Sequence, residues 1–221
     1  PALGIGGKGQ EVISSTDELD RALHALDPAE LSLYGISIEE NLRDVTTYSI
    51  GQVRVNELVA TYCGTQRITA DHCGTSVYGG SDLLVVRGDF ETLLGLDLTP
   101  ELRVAVQQAR KYDTAASEEF PGFFASRRNY DVVAGADSRG RRRTGVLEQS
   151  WRVGGASPAE VAALEAFRAD AALRAVRASC PEIYNVNHEP PACACVYFRG
   201  EDSEVGPMIK YSIVEAYGNA R

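Results

Sequence analysis

Two neighbouring stretches rich in β-branched and aromatic residues constrain the fold of this chain more than any other feature. They cover about residues 47–55 and 58–69, and only Asn56 and Glu57 separate them. Residues of these types favour β-strands, and two strands joined so closely form a hairpin. Further strands are predicted at about 11–13, 31–38, 83–87, 127–135, 143–150, 192–198 and 208–215. Strands that arrive in hairpins between single helices predict an α+β fold.

Three helices are predicted from the signals at their first residues. The segment 15–18 (STDE) has the form of a capping box and precedes a helical stripe of leucines. Thr99 followed by Pro100 places an N-cap residue and a first-turn proline in the favoured order. The segment 157–160 (SPAE) is a second capping box, and it predicts a helix that runs to about Arg177.

Composition and charge exclude several classes of protein. With 44% hydrophobic residues, the 221-residue chain can bury a core. A net charge of −9 argues against a nucleic-acid binder, whose surface must be basic. No apolar run reaches the roughly 20 residues that a membrane helix needs, and the first ten residues lack the regions of a secretory signal. We therefore expect a cytoplasmic protein without nucleic-acid or membrane partners; its oligomeric state stays open.

The cysteines and the arginine run favour no separate function. Cys193 and Cys195 have one residue between them, and Cys63 and Cys73 form no closely spaced pair, so a structural zinc site is not supported. We expect reduced, mostly buried thiols. The arginines of segment 139–143 (RGRRR) lie at a predicted hairpin tip in an acidic protein, which favours a solvated turn over an RNA site.

The segment 4–9 (GIGGKG) is a candidate phosphate-binding loop. Glycines let backbone N–H groups come close to phosphate oxygens, and the lysine adds positive charge. A dinucleotide-binding loop opens directly into a helix, whereas here a predicted strand follows, and Gly9 stands where a P-loop has Ser or Thr. The residue types fit a flexible glycine flap that closes over a triphosphate. The alternative is a mobile turn.

The predicted hairpin of strands 127–135 and 143–150 carries a candidate metal site. Alternation along a strand puts Glu148, Ser150 and Arg152 on one face. Asp131, on the other arm, can pair beside Glu148. Two carboxylates and a hydroxyl form an oxygen site suited to Mg²⁺, which takes phosphates as further ligands, and Arg152 could bind those phosphates bidentately. The alternative is a surface ion pair between Glu148 and Arg152.

Glu39 and Glu40 directly follow the predicted strand 31–38. Acidic residues in this position could accept hydrogen bonds from a ribose or an adenine. The alternative is a solvated strand end, and the sequence does not choose between the two glutamates.

The order of these features resembles the ATP-grasp superfamily. A glycine flap, a strand that ends in glutamate and a late hairpin with Asp…Glu-x-Ser-x-Arg follow one another along the chain. ATP-grasp enzymes close a glycine-rich flap over ATP and bind metal through an acidic residue and an E-x-N-x-R strand; here Ser150 replaces the Asn. More narrowly, the chain is similar to an uncharacterised bacterial family assigned to that superfamily, through the motifs GIGGKGQ, TYSIGQV, CGTQRIT, VYGGSDLLVVRGDF, SRRNYDV and GVLEQSWRVGGAS.

The resemblance implies a two-lobed α+β fold of ATP-grasp type, with antiparallel or mixed sheets flanked by helices and with its N-terminal part missing. Residues 1–42 would be the remainder of the glycine-flap lobe. Residues 43–221 would be the C-terminal lobe with the metal-binding hairpin.

The resemblance also implies ATP and Mg²⁺ as cofactors. Asp131, Glu148 and Ser150 would hold the metal, and Arg152 would be the catalytic residue that binds phosphate. The remaining residues implied to bind the nucleotide come from the flap, the hinge and the phosphate side: Gly4, Gly6, Gly7, Lys8, Gly9, Glu39, Glu40, Gln52, Gln66 and Arg67.

The function implied by the resemblance is an ATP- and Mg²⁺-dependent ligase that joins a small carboxylate to an amine or thiol acceptor through an acyl-phosphate. The identities of the carboxylate and of the acceptor stay open. The alternative is a non-catalytic nucleotide-binding module that acts as a sensor or as a subunit of an assembly.

Overall fold

A computed structural model describes residues 11–203 and 205–218. The helices within these ranges are α1 (Thr16–Ala25), α2 (Pro28–Tyr34), α3 (Phe90–Leu94), α4 (Pro100–Glu119) and α5 (Ser157–Ala169). The strands are β1 (Arg43–Val55), β2 (Leu58–Ala70), β3 (Ser76–Arg87), β4 (Arg127–Ala136), β5 (Arg142–Ser150), β6 (Ala175–Ser179), β7 (Glu182–Ile183), β8 (Cys195–Asp202) and β9 (Gly206–Ala216). Among the described residues, no helix combines the length and apolar character needed to span a membrane.

The nine described strands form one sheet in which every pairing is antiparallel. Their order is β5-β4-β1-β2-β3-β6-β9-β7, and β8 pairs with β9. The predicted turn between β1 and β2 is confirmed, and Asn56 adopts a φ of 53° there. Asn tolerates this left-handed conformation better than most residues. The antiparallel sheet with a few helices confirms the predicted α+β class.

Helices pack on both faces of the sheet, so each face has its own core. On one face, called here the α4 face, α3 and α4 cover Ile50, Cys63 and Tyr130. On the opposite face, called the α5 face, α5 packs over β2, β3, β6 and β9, and its Phe167 joins a core with Tyr62. Strands β1, β4 and β5 lie beyond α5 at the other end of this face, where they carry polar side chains.

The first two helices begin at side-chain caps. The predicted cap of α1 is confirmed, because the Ser15 hydroxyl accepts the Glu18 N–H at 3.2 Å. The predicted strand 31–38 is wrong: residues 28–34 form α2 after Asp27, whose carboxylate accepts the Ala29 N–H at 2.8 Å. A cap followed by proline favours a helix, and this local signal outweighs the strand-like residues after it. The predicted strand 11–13 is also wrong, since these residues have no regular secondary structure.

The predicted N-cap of α4 is confirmed, whereas the predicted N-cap of α5 is wrong. Thr99 caps α4 as predicted and accepts the Leu102 N–H at 3.3 Å. The second capping box is wrong, because Ala156 is the N-cap residue of α5, and no side chain in the described part of the chain caps this end. The Ser157 hydroxyl instead accepts the Gly154 N–H. The predicted end near Arg177 is wrong: the helix ends at Ala169, and residues 175–177 belong to β6, which pairs with β3 and β9.

The hairpin tip between β4 and β5 is organised by Asp137, whose side chain is fully buried. It accepts hydrogen bonds from the side chains of Arg141 at 2.8 Å and Arg143 at 3.0 Å. Burial acts to raise the pKa of Asp137, but hydrogen bonds from Arg141, Arg139 and Arg143 outweigh it and lower the pKa. The arginine run therefore folds back on its own turn, in agreement with the predicted solvated tip.

Candidate functional site

The register of the β4–β5 hairpin places Asp131 directly opposite Glu148 and Asn129 opposite Ser150. The predicted pairing of the two carboxylates is therefore confirmed. Asp131 is half-buried, whereas Glu148 is exposed and has no hydrogen-bond or ion-pair partner within residues 11–203 and 205–218.

A β-bulge brings the two carboxylates to the same face. Val132 on β4 pairs with Val146 on β5, and Asp131, the residue before Val132, pairs with Glu148. Leu147, between Val146 and Glu148, is therefore an extra residue in β5. Val132 and Val146 belong to the core of the α4 face. In a regular strand without a bulge, Glu148 would lie on that face with Val146, because side chains two residues apart share a face. Bulges of this kind redirect a side chain beside functional sites.

The α5 face carries two neighbouring rows of residues across four strands. The first row, from β2 to β5, consists of Gly64, Ser49, Asp131 and Glu148. The second row consists of Tyr62, Gly51, Asn129 and Ser150. Polar side chains thus fill the part of the sheet face that α5 does not cover, and the second row lies between the carboxylate pair and α5.

Two side-chain amides donate to the Asp131 carboxylate, and a serine hydroxyl lies close to it. Gln66 donates to its Oδ2 at 3.1 Å, and Asn129 donates to its Oδ1 at 3.1 Å. The Ser49 hydroxyl donates to Asn129 Oδ1 at 2.9 Å and lies 3.4 Å from Asp131 Oδ1. Gln66, Asp131, Glu148 and Ser150 are therefore the predicted residues that the fold brings together.

A buried ion pair lies behind these residues. Arg127 on β4 contacts both carboxylate oxygens of Glu160 on α5, with its Nε at 3.0–3.1 Å and its Nη2 at 2.9 Å. The two side chains are only 9% and 2% exposed. Burial acts to lower the pKa of Arg127, but its interactions with Glu160 and Tyr62 together outweigh burial and raise the pKa. A buried charge is tolerated when it is paired in this way.

The Tyr62 hydroxyl connects this ion pair to Asn129. It donates to Glu160 Oε1 at 2.6 Å and lies 2.9 Å from Asn129 Oδ1. Gly51 makes the connection possible, because a Cβ at that position would overlap the Tyr62 hydroxyl and the Arg128 carbonyl oxygen. Burial first, and then the Glu160 charge, raise the pKa of Tyr62 well above its ordinary value, so the hydroxyl keeps its proton.

We expect alkaline pH to destabilise the protein through Tyr62. Because its pKa is higher in the folded than in the unfolded chain, its stabilising effect is complete below pH 10 and declines above it, by about 1.4 kcal/mol per pH unit. Urea unfolding at several pH values above 9 should give a shallower decline for Tyr62→Phe than for wild type. Tyr34→Phe, at an exposed position in α2, should keep the wild-type decline, and equal slopes for all three proteins would contradict the assignment.

Other predicted residues lie on the α4 face. Gln52 donates to Thr61 Oγ1 at 3.0 Å, and Arg67 forms a bidentate ion pair with Asp82 at 2.5–2.6 Å. Arg67 and Asp82 line an open groove of about 570 Å³ whose opposite wall includes Thr99 at the start of α4. The sheet therefore separates Gln52 and Arg67 from Asp131.

The last predicted residues lie outside the strands of the sheet or outside the described ranges. Glu40 accepts hydrogen bonds from the backbone N–H and hydroxyl of Ser138 at the hairpin tip, and Glu39 accepts one from Ser37. Arg152 follows the end of β5, is exposed, and donates to the Val153 carbonyl at 3.0 Å. The glycine flap, with Gly4, Gly6, Gly7, Lys8 and Gly9, lies outside the described residues.

The described residues contain no group of three or more His, Cys, Asp or Glu side chains that could hold a metal ion alone. The five cysteines are free, as predicted, but the expectation that most are buried is wrong: Cys73, Cys193 and Cys195 are exposed. Burial raises the pKa of the Cys63 thiol to about 12.

Because the described residues offer no third acidic, histidine or cysteine ligand, a metal at Asp131 and Glu148 would need further ligands from a bound molecule or from water.

The predicted site lacks the supporting residues Ser49, Tyr62, Arg127, Asn129 and Glu160. Asn129 could have been found, since alternation places it on the same face as Asp131 two residues later. Glu160 was assigned to a capping box, and this local interpretation concealed its pairing with Arg127 across 33 residues.

Comparison with known proteins gives a family for the chain. No curated protein and no solved structure matches it. A family profile described as a protein of unknown function (DUF3182) matches residues 1–212, nearly the whole chain. The chain therefore belongs to the DUF3182 family.

Proposed function

We propose that this protein is an ATP- and Mg²⁺-dependent ligase of ATP-grasp type, which activates a small carboxylate as an acyl-phosphate and transfers it to an amine or thiol. The observation that carries the proposal is the pairing of Asp131 with Glu148 on a polar, exposed part of the sheet face. The resemblance of the glycine flap and of the Glu148-x-Ser150-x-Arg152 strand to ATP-grasp enzymes supports the same class of reaction.

The donor atoms fit Mg²⁺ bound together with a nucleotide. Mg²⁺ prefers oxygen ligands and is commonly held by one or two carboxylates together with phosphates and water. Glu148 is exposed and unpaired within the described ranges, and Asp131 Oδ2 accepts a single described hydrogen bond, from Gln66. A site with two carboxylates and no third acidic ligand among the described residues leaves coordination positions for phosphate oxygens.

The chain's own residues would position the reactants and balance their charge. Phosphoryl transfer requires positioning and electrostatic stabilisation, and it requires no covalent participation by the protein. In the proposal, the terminal phosphoryl group of ATP moves to a carboxylate oxygen of the substrate and ADP leaves. The amine or thiol then attacks the acyl carbon and releases phosphate. Lys8 and Arg152 would neutralise phosphate charge during both steps.

Glu148→Gln tests the proposal most directly. The substitution removes a charge that balances the metal but keeps the size of the side chain, so we expect Mg²⁺-dependent ATP binding to fall by at least about 10-fold while the fold is kept. Calorimetry on the intact protein, with Mg²⁺ and with EDTA, measures this loss. Glu118→Gln is the matched control, because Glu118 is exposed on α4 at the opposite face.

The outcomes separate the proposal from its alternatives. ADP release from Mg-ATP that a particular carboxylate accelerates would support a ligase. Mg²⁺-dependent binding without turnover for any carboxylate and acceptor pair would indicate a non-catalytic nucleotide-binding module instead. Absence of ATP binding by the wild-type protein, or equal affinities for wild type and Glu148→Gln, would overturn the assignment of the site.

A further inference from the structure

On the basis of the proposed function, we propose that Glu160 is a positioning residue for the Asp131–Glu148 pair. Its buried carboxylate binds Tyr62 and Arg127. Tyr62 contacts Asn129, which donates to Asp131 on β4. Arg127 donates to Ser150 at the end of β5, the strand that carries Glu148. One residue of α5 therefore connects to both arms of the hairpin.

The branch toward β4 places the Tyr62 hydroxyl beside the Asn129 amide, whose oxygen accepts the Ser49 proton. Asn129 Oδ1 lies 2.9 Å from both the Tyr62 hydroxyl and the Ser49 hydroxyl. With its oxygen on this side, Asn129 turns its Nδ2 toward Asp131 Oδ1 at 3.1 Å. Because Glu160 accepts the Tyr62 proton at 2.6 Å, it holds the tyrosine ring over Gly51 and beside Asn129. Loss of the Glu160 charge would free the Tyr62 proton for Asn129 Oδ1 and the Ser49 proton for Asp131 Oδ1, and it should therefore change the hydrogen bonds around Asp131.

The branch toward β5 holds the residues that follow Glu148. Arg127 Nη1 donates to Ser150 Oγ at 3.2 Å and to the Arg152 carbonyl at 2.5 Å. The guanidinium can hold this position because its other nitrogens are bound to Glu160. Ordered hydrogen bonds of this kind, one step behind a metal ligand, typically change metal affinity 10–100-fold.

The opposite face of the sheet contains a matching arrangement that does not reach the carboxylate pair. Asp113 on α4 accepts hydrogen bonds from Arg128 at 2.9 Å and from the Tyr130 hydroxyl at 2.6 Å. It thus joins a helix to the sheet through an arginine and a tyrosine, as Glu160 does. Asp113 offers a control for the structural effect of removing such a carboxylate.

The test compares Glu160→Gln with Asp113→Asn in the intact protein. We expect the Kd for Mg-ATP to rise by about 10-fold or more in Glu160→Gln and to stay at the wild-type value in Asp113→Asn. ATP binding in EDTA should be unchanged in both variants. Electron paramagnetic resonance of Mn²⁺ with ATP should show free Mn²⁺ rising only in Glu160→Gln. Urea unfolding shows how much stability each variant loses.

A second variant keeps the proposal testable if Glu160→Gln does not fold. Tyr62→Phe keeps the ion pair but removes the hydroxyl between Glu160 and Asn129, and it should weaken Mn²⁺ binding several-fold. Equal loss of affinity in the Glu160 and Asp113 variants would overturn the proposal in favour of a purely structural role. Unchanged affinity in Glu160→Gln or in Tyr62→Phe would overturn it as well. Absence of Mg-ATP binding by wild type would overturn the proposed function itself.

Discussion

Replacing Arg127 with Met should lower the free energy of unfolding by about 3–5 kcal/mol, since removal of one partner leaves an uncompensated buried charge. Glu160 is 2% exposed, and two of the three Arg127 nitrogens contact its carboxylate. Met occupies a similar volume but donates no hydrogen bond to Glu160 or to Ser150. The measurement is the free energy of unfolding in urea, followed by circular dichroism.

Two controls identify the buried charge as the cause. The double variant Arg127→Met with Glu160→Leu should recover most of the lost stability, because an apolar pair of similar volume often replaces a buried ion pair without loss. Tyr62 can then donate its proton to Asn129 Oδ1, 2.9 Å away. Arg110→Met, which breaks an exposed ion pair with Glu91, should change stability by less than about 1 kcal/mol. A double variant as unstable as Arg127→Met would contradict this explanation.

Phe167→Ala should also destabilise the protein by about 3–5 kcal/mol, the usual range for a buried phenylalanine. The ring is 1% exposed and belongs to the core that joins α5 to the sheet. The Arg87 guanidinium lies 5.4 Å from the ring centroid, so the substitution also removes a cation–π contact. Because α5 carries Glu160, loss of this anchor should weaken Mg-ATP binding as well.

Val161→Ala is the control on the same helix, because Val161 is 52% exposed. It should change the free energy of unfolding by less than about 0.5 kcal/mol. Both variants are measured by urea unfolding and by calorimetry with Mg-ATP. A loss below about 1 kcal/mol in Phe167→Ala would show that the helix docks without this ring.

Local features of this protein follow from the sequence. The β1–β2 turn at Asn56, the Ser15 cap of α1 and the Thr99 cap of α4 are all as predicted. Each depends on residues within a few positions of one another, so backbone preference and side-chain capping decide them. The presence of Asp131 and Glu148 on two arms of one hairpin also follows from the sequence, because the polar turn between the arms is short.

Helix α2 differs from the prediction although its signals are also local. Its residues 31–34 belong to the predicted strand 31–38, whereas Asp27 and Pro28 begin a helix there. The two signals compete over the same few positions, and the residues of α2, of which none is buried, receive no packing that would favour a strand.

Only the tertiary structure decided how the candidate site is arranged. The extra residue Leu147 in β5, the separation of Gln66 from Arg67 by the sheet and the pairing of Arg127 with Glu160 all depend on long-range contacts. The segment 157–160 fits a capping box as well as it fits a buried charge, because its sequence does not reveal what packs against it. Burial beside Arg127 made the difference: a carboxylate that leaves water must take up charged or hydrogen-bonding partners, and the assembled sheet brings those partners to Glu160.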